Sequence, residues 1–131
     1  MLYFCYRGHA KYLIFSATGD RNAEILLQLL GKISFQNVYF VIPRAQKNID
    51  RNNDNYSALE ENDLLSKCKN HARIWENINK NSKINISECV SDVLENIKND
   101  NSIASVLITG SLHLVGAALS IIDPNLGEKC T

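Results

Sequence analysis

Two short glycine turns carry residue types that hold oxyanions in proteins. One turn is Thr109-Gly110-Ser111, and the other is Thr18-Gly19-Asp20-Arg21. A glycine lets the backbone come close to a ligand, and the hydroxyls of Thr109 and Ser111 can bond phosphate or carboxylate oxygens. Arg21 can pair with an anion through two parallel hydrogen bonds. If both turns open on the same edge of a sheet, they predict an anion-binding rim.

A second interpretation of the same residues needs no ligand. Both turns can be ordinary connections from a strand to a helix, in which Ser111 and Asp20 cap the helices that follow. His113 lies in the first turn of one of these helices. It can act as a general base or contact a ligand, or it can simply face solvent or bond a neighbouring carbonyl. The residues alone leave these alternatives open.

The stretch from Ser105 to Ile122 must position the first of these turns. It starts as an apolar run rich in β-branched residues, breaks at Gly110 and then resumes with the spacing of a helix. The apolar positions of this predicted helix are Leu112, Val115, Leu119 and Ile122. In a parallel α/β sheet such a turn lies at the carboxyl end of the strand, where ligands bind. The helix start there offers unpaired N–H groups to an anion.

The second turn belongs to a similar unit. Residues 12–16 predict a buried strand, and the helix after the turn starts near Asn22 with Asp20 as its N-cap. The apolar positions of this helix are Ala23, Leu26, Leu27, Leu30 and Ile33. Gly31 stands where a C-terminal glycine cap would end it.

The middle of the chain continues the alternation. Residues 37–42 predict a strand closed by Pro43, and the polar residues 45–55 predict an exposed loop. A long helix follows, with Ser57 as its N-cap and Glu60 completing a capping box. Its apolar face consists of Leu64, Leu65, Cys68, Ala72, Trp75 and Ile78.

The last predicted unit completes the fold class. Residues 83–86 predict a short edge strand, and Ser87 caps a third helix. The apolar positions of that helix are Val90, Val93, Leu94 and Ile97. The alternation predicts a Rossmann-like α/β domain over residues 12–126, with about four mostly parallel strands and helices on both faces. Residues 1–11 form either an edge strand or a remnant of a preceding segment, one or more leading strands are expected to be missing, and residues 127–131 form a loose tail.

Composition excludes several function classes. The 131 residues suit one domain, and 14 basic residues balance 14 acidic ones, so we expect no nucleic-acid partner. The four cysteines are scattered without a CxxC pair, which indicates reduced thiols and no metal site. No run approaches the ~18 apolar residues of a membrane span, and the N-terminus does not resemble a signal peptide. We therefore expect an intracellular protein without a membrane partner.

The sequence also lacks the usual nucleotide and hydrolase motifs. It contains no GxxxxGK[ST] phosphate loop, no GxGxxG fingerprint, no GxSxG elbow and no HExxH pair. The residues alone therefore predict an α/β domain that can form an anion rim but has no self-sufficient catalytic set.

Two segments resemble one enzyme family. Residues 13–21, LIFSATGDR, resemble the LLFNATGDRD segment of eukaryotic folylpolyglutamate synthases, and residues 106–116, VLITGSLHLVG, resemble the VLVTGSLHLVGG segment near the family's C-terminus. Residues 38–40 and Trp75 also match family positions. The resemblance covers residues 11–126 and identifies the chain as the C-terminal domain of such a synthase, within the Mur ligase-like superfamily.

The resemblance implies a function for the whole enzyme. The family adds L-glutamate to the γ-carboxyl of tetrahydrofolate (poly)glutamates, using ATP to form an acyl phosphate. Its N-terminal domain holds ATP, Mg²⁺ and the folate, and its Rossmann-like C-terminal domain closes over the nucleotide and the incoming glutamate. Thr109, Gly110 and Ser111 would then lie at the cleft between the domains, with His113 inside the same motif. The location implied is cytoplasmic, mitochondrial or both.

The sequence departs from the family in two ways that bear on the activity of this chain. The ATP-binding domain and the DGAH-type segment are absent, and Asn22 stands where the family's DRD has its second aspartate. Asp20 and Arg21 match the motif without a definite role. We expect this chain alone to bind no cofactor and to make no polyglutamate, as a fragment, a truncated gene model or a short isoform. The alternatives are a non-catalytic module that pairs with a separate ATP-binding domain, and an unrelated Rossmann-like domain.

Overall fold

The structure, a computed structural model, describes residues 2–5, 10–17, 23–47, 57–100 and 104–122, with residues 2–5 described by their backbone alone. Four strand–helix units follow one N-terminal strand. The elements are β1 Leu2–Cys5, β2 Ala10–Phe15, α1 Ala23–Leu30, β3 Asn37–Val41, α2 Ala58–Ile78, β4 Lys83–Ser87, α3 Val90–Asp100, β5 Ala104–Thr109 and α4 Leu112–Ile122.

The described strands form one sheet in the order β1-β5-β2-β3-β4. The four strands β5, β2, β3 and β4 run parallel, and β1 pairs antiparallel with β5 at one edge. The predicted Rossmann-like α/β fold with four parallel strands is therefore confirmed. Of the two alternatives for residues 1–11, the edge strand is present at Leu2–Cys5.

Helices cover both faces of the sheet because side chains alternate along each buried strand. The face covered by α1 and α2 is the α1/α2 face, and its core consists of Leu13, Phe15, Leu27, Leu30, Phe35, Val38, Phe40, Ile42, Cys68, Trp75 and Leu107. The opposite face is the α3/α4 face. Its core includes Tyr12, Ile14, Tyr39, Val41, Val90, Val93, Ile97, Ile108, Leu114, Val115, Ala117 and Ala118.

The first helix, α1, is shorter than predicted, and Ile33 lies beyond its end with 39% of its surface exposed. Gly31 does not end the helix as a left-handed cap, since Gly110 is the glycine with positive φ among the described residues. The N–H of Gly31 instead donates to the carbonyl of Leu27 at 2.8 Å. A Cβ on Gly31 would overlap Ile78, so the glycine is explained by the close approach of α2.

The start of α3 also differs from the prediction. Ser87 is the last residue of β4 and not the N-cap of α3. The N–H groups of Val90 and Ser91 donate to the backbone carbonyls of Arg44 and Ala45, both at 2.9 Å. The segment after β3 thus satisfies two of the orphan donors at the start of α3. The prediction of an exposed loop from residue 45 is therefore wrong at Ala45, which is buried.

The other helices confirm some predicted features and correct others. Ser57 caps α2, and its hydroxyl accepts the N–H of Glu60 at 3.1 Å. Trp75 is fully buried. On α4 two of the four predicted apolar positions are wrong, because Leu112 is 65% exposed and Ile122 is 44% exposed, whereas Val115 is buried and Leu119 packs against the core. The buried residues of α4 are Leu114, Val115, Ala117 and Ala118. Within the described ranges, no helix is long and apolar enough to cross a membrane.

Candidate functional site

The carboxyl ends of β2 and β5 lie side by side, although about 90 residues separate them in sequence. Phe15 pairs with Thr109, so the next residues, Ser16 and Gly110, are also neighbours. The chain runs from β2 outward through β3 and β4 and then returns to the other side of β2. This reversal of strand order is the topological switch point at which open α/β sheets bind ligands. We call the group Ser16, Ala17, Gly110 and Ser111 the switch edge.

Gly110 has a backbone conformation that other residues rarely adopt. Its φ is +116°, and a Cβ at this position would overlap the carbonyl oxygen of Ser16. The same Cβ would lie 3.2 Å from the ring of Phe15. Glycine is therefore required at this position for two reasons, the positive φ and the close contact with the end of the neighbouring strand. Its presence brings the turn after β5 directly against the end of β2.

Ser111 is the N-cap of α4. Its hydroxyl accepts the N–H of His113 at 3.1 Å and that of Leu114 at 3.3 Å, and its carbonyl accepts the N–H of Val115 at 3.2 Å. The capping role considered from the sequence is thus present. The turn directs the N-terminal end of α4, with its partial positive charge, toward the switch edge.

The side chain of Ser16 has an unsatisfied hydroxyl. The residue is only 4% exposed, and its Oγ has no hydrogen-bond partner. The alternation of β2 places Ser16 in the row of Tyr12 and Ile14, on the α3/α4 face that Leu114 of α4 also covers. A buried hydroxyl without a partner is destabilising, and such groups are rare in folded proteins. Ser16 thus carries an unused hydrogen-bonding group that is buried beside the switch edge.

The other predicted site residues are distributed as follows. Thr109 is the last residue of β5 and is buried, whereas His113 is exposed in the first turn of α4. Thr109 and His113 are thus brought to the same edge as Gly110 and Ser111. Asp20 and Arg21 lie outside the described residues, as does the rest of their turn.

A second polar cluster follows β3, one strand away from the switch edge. Arg44 is 4% exposed, its Nε donates to the carbonyl of Glu88 at 2.8 Å, and its Nη2 lies 3.4 Å from the carboxylate of Glu61. Lys47 forms an ion pair with the side chain of Glu88. Their hydrogen bond raises the pKa of Lys47 and lowers the pKa of Glu88. We call Arg44, Lys47, Glu61 and Glu88 the Arg44 cluster.

The sequence did not indicate this cluster. Arg44 stands alone between a proline and a polar stretch, which is typical of a surface loop. Its partners are 17 and 44 residues away, at the start of α2 and after β4. The one available signal was Pro43 at the end of a buried strand, which marks a chain reversal at the carboxyl edge of the sheet.

A buried histidine lies beneath these edges, on the α1/α2 face. His71 is 7% exposed, and its ring centroid lies 5.5 Å from that of Phe15 and 6.3 Å from that of Phe40. Burial lowers the pKa of His71, and the nearby ammonium group of Lys67 lowers it further. Burial also raises the pKa of the Cys68 thiol to about 12, which makes this cysteine unreactive.

Within the described ranges, no group of three His, Cys, Asp or Glu side chains could hold a metal ion. Comparisons of the sequence with family models and curated proteins, and of the structure with solved structures, found no match. The chemistry available at the switch edge is thus that of a capped helix start, a glycine turn and an unsatisfied hydroxyl, which together favour an oxyanion.

Proposed function

We propose that this chain is the C-terminal, Rossmann-like domain of a folylpolyglutamate synthase. The complete enzyme would add L-glutamate to the γ-carboxyl of tetrahydrofolate (poly)glutamates at the expense of ATP. The observation that carries the proposal is the contact between the ends of β2 and β5. The two family-like segments are far apart in sequence, yet Ser16 of the first lies against Gly110 of the second.

In this proposal the switch edge is one wall of the cleft between two domains. Gly110 lets the backbone come close to a substrate, and the N-terminal end of α4 favours an oxyanion. The free hydroxyl of Ser16 donates a hydrogen bond to that anion, for which a carboxylate of glutamate or a phosphate oxygen is suitable. His113 is exposed in the first turn of α4 and, in this proposal, would contact the substrate.

ATP and Mg²⁺ supply phosphoryl transfer in such an enzyme, which requires a phosphate cradle. In this proposal the switch edge binds a single oxyanion. The described residues contain no metal-binding group and the sequence contains no phosphate loop. The proposal therefore assigns the triphosphate and Mg²⁺ to the ATP-binding domain and limits this chain to orienting the substrate.

The test is a two-component assay. The purified chain is mixed with the separately expressed ATP-binding domain of a folylpolyglutamate synthase, ATP, Mg²⁺, tetrahydrofolate and L-glutamate. Mass spectrometry then measures γ-glutamylated folate. We expect product from the mixture and none from the chain alone. Product from the chain alone, or a mixture that neither associates nor reacts, would contradict the proposal. Association without product would instead favour a non-catalytic module.

Matched variants connect any activity to the switch edge. Ser16→Ala removes the unsatisfied hydroxyl, and we expect product formation to fall about tenfold, the equivalent of one hydrogen bond to a charged group. Gly116→Ala is the control, because Gly116 is exposed on α4 and a Cβ there would meet nothing within 4 Å. If both variants react like the original chain, the switch edge does not contact the substrate.

A further inference from the structure

We infer that Arg44 is the recognition residue of a second anion site, at the carboxyl end of β3, which takes a carboxylate or phosphate group. In the present structure Glu61 occupies the place of that anion. The inference does not depend on the proposed ligase function, since it rests only on the Arg44 cluster.

The first support is the rigidity of Arg44. Its N–H donates to the carbonyl of Ile42 at 2.7 Å, its carbonyl accepts the N–H of Val90 at 2.9 Å, and its Nε donates to the carbonyl of Glu88 at 2.8 Å. These three bonds fix the residue to β3, α3 and the end of β4. The guanidinium is therefore positioned before any ligand arrives, which lowers the entropic cost of binding.

The second support is an unsatisfied donor. The Nη2 of Arg44 is buried and makes no hydrogen bond, and its contact with Glu61 is an ion pair at 3.4 Å. A well-formed bond between a guanidinium and a carboxylate is 2.7–2.9 Å long, so this pair is loose. An anion that approached more closely would satisfy a donor that Glu61 leaves without a hydrogen bond.

The third support is that Glu61 can move away. Its side chain is 32% exposed, whereas that of Arg44 is 5% exposed. Glu61 lies in the first turn of α2, so it can turn toward solvent while the backbone stays in place. The other carboxylate of the cluster, on Glu88, is paired with Lys47. Displacement of Glu61 therefore leaves Arg44 facing the incoming anion, with the positive end of α2 nearby.

Carboxylate and phosphate share the chemistry that Arg44 recognises, and separate titrations distinguish them. Inorganic phosphate and acetate are each titrated into the protein at constant ionic strength and constant pH, with chloride as the reference, and binding is followed by NMR shifts of the Arg44 Nε–H. We expect saturable shifts with at least one of the two anions and none with chloride. Absence of saturation with both would overturn the inference.

The decisive variant is Glu61→Gln, which removes the competing carboxylate and should tighten anion binding about tenfold. A purely structural ion pair predicts the opposite, since its loss would loosen Arg44. Asp63→Asn is the matched control, because Asp63 lies two residues further along the same helix, pairs with Lys67 and carries the same charge. We expect Asp63→Asn to change anion affinity less than twofold.

Substitution of the arginine completes the test. We expect Arg44→Gln to abolish saturable binding, with isothermal calorimetry as the readout. Loss of Arg44 can also disturb the fold, so Arg44→Lys is measured as a second variant. We expect Arg44→Lys to fold normally. Its affinity for anions should be at least about tenfold lower than that of the original chain, since lysine cannot form the bidentate pair. Unchanged anion affinity in a folded Arg44→Lys or Arg44→Gln protein, or weaker binding in Glu61→Gln, would show that the cluster is only a structural clamp.

Discussion

A Cβ on Gly110 would overlap the carbonyl oxygen of Ser16. These residues directly follow two neighbouring parallel strands, because Phe15 and Thr109, the last residues of β2 and β5, pair with each other. The two strand ends thus lie close together at the topological switch point, and position 110 has no space for a side chain. We expect this contact to make the switch edge rigid.

The first prediction concerns that contact. Gly110→Ala introduces a Cβ where φ is +116° and where the backbone of Ser16 already lies. We expect the free energy of unfolding to fall by about 3 kcal/mol, since both strain and overlap must be relieved. Urea unfolding followed by circular dichroism measures this change. A loss below about 1 kcal/mol would mean that the turn adjusts easily and that the switch edge is not rigid.

The second prediction uses the other glycine of the same segment. Gly116 lies in the middle of α4, is exposed, and would meet nothing within 4 Å if it carried a Cβ. Gly116→Ala should raise the free energy of unfolding by about 0.5–1 kcal/mol, because alanine loses less backbone entropy in a helix. The same urea titration provides the measurement. Destabilisation by Gly116→Ala would contradict the open surroundings of Gly116 in this structure.

The third prediction separates stability from binding at Ser16. Its buried hydroxyl has no hydrogen-bond partner, so Ser16→Ala removes a destabilising group without breaking a bond. We expect the free energy of unfolding to stay the same or to rise by about 1 kcal/mol. Thermal unfolding of the two proteins side by side measures it. A clear loss of stability would show that the hydroxyl is hydrogen-bonded in solution and is not available to a ligand.

The elements of this fold could be predicted from local patterns, whereas the pairing of their ends could not. Buried runs such as Leu13–Phe15 and residues 37–42 are recognisable because β-branched and aromatic residues bounded by turn residues favour strands. The same is true of Ser57 and Ser111, since a hydroxyl before an apolar helical pattern is a direct signal for capping. Such features depend on neighbours within about four residues along the chain.

The errors came from interactions across the sheet. The helix α4 buries Ala117 and Ala118 together with Leu114 and exposes Leu112, since its packing against β5 and α3, and not the spacing of its leucine and isoleucine residues, sets the buried face. The burial of Arg44 depends on Glu61 and Glu88, which reach it only after the fold has formed. The orphan hydroxyl of the switch edge is likewise invisible in the sequence, because a serine after a strand usually bonds its own turn.

The last prediction is a pH dependence due to His71. Because burial lowers its pKa below the ordinary value of 6.5, the folded protein remains neutral at this residue at pH values where the unfolded chain already binds a proton. Stability should therefore be greatest above about pH 6.5 and should fall as the pH decreases from there toward the pKa of the folded state. The lowered pKa of Glu88 affects stability in a different pH range, below the ordinary glutamate pKa of 4.5.

His71→Phe keeps an aromatic ring beside Phe15 and Phe40 but cannot bind a proton. The midpoint of thermal unfolding, measured from pH 7.5 to pH 5, should decrease more for the original chain than for His71→Phe. Parallel curves for the two proteins would show that His71 takes up its proton equally well in the folded state, and that its ring is not buried in solution.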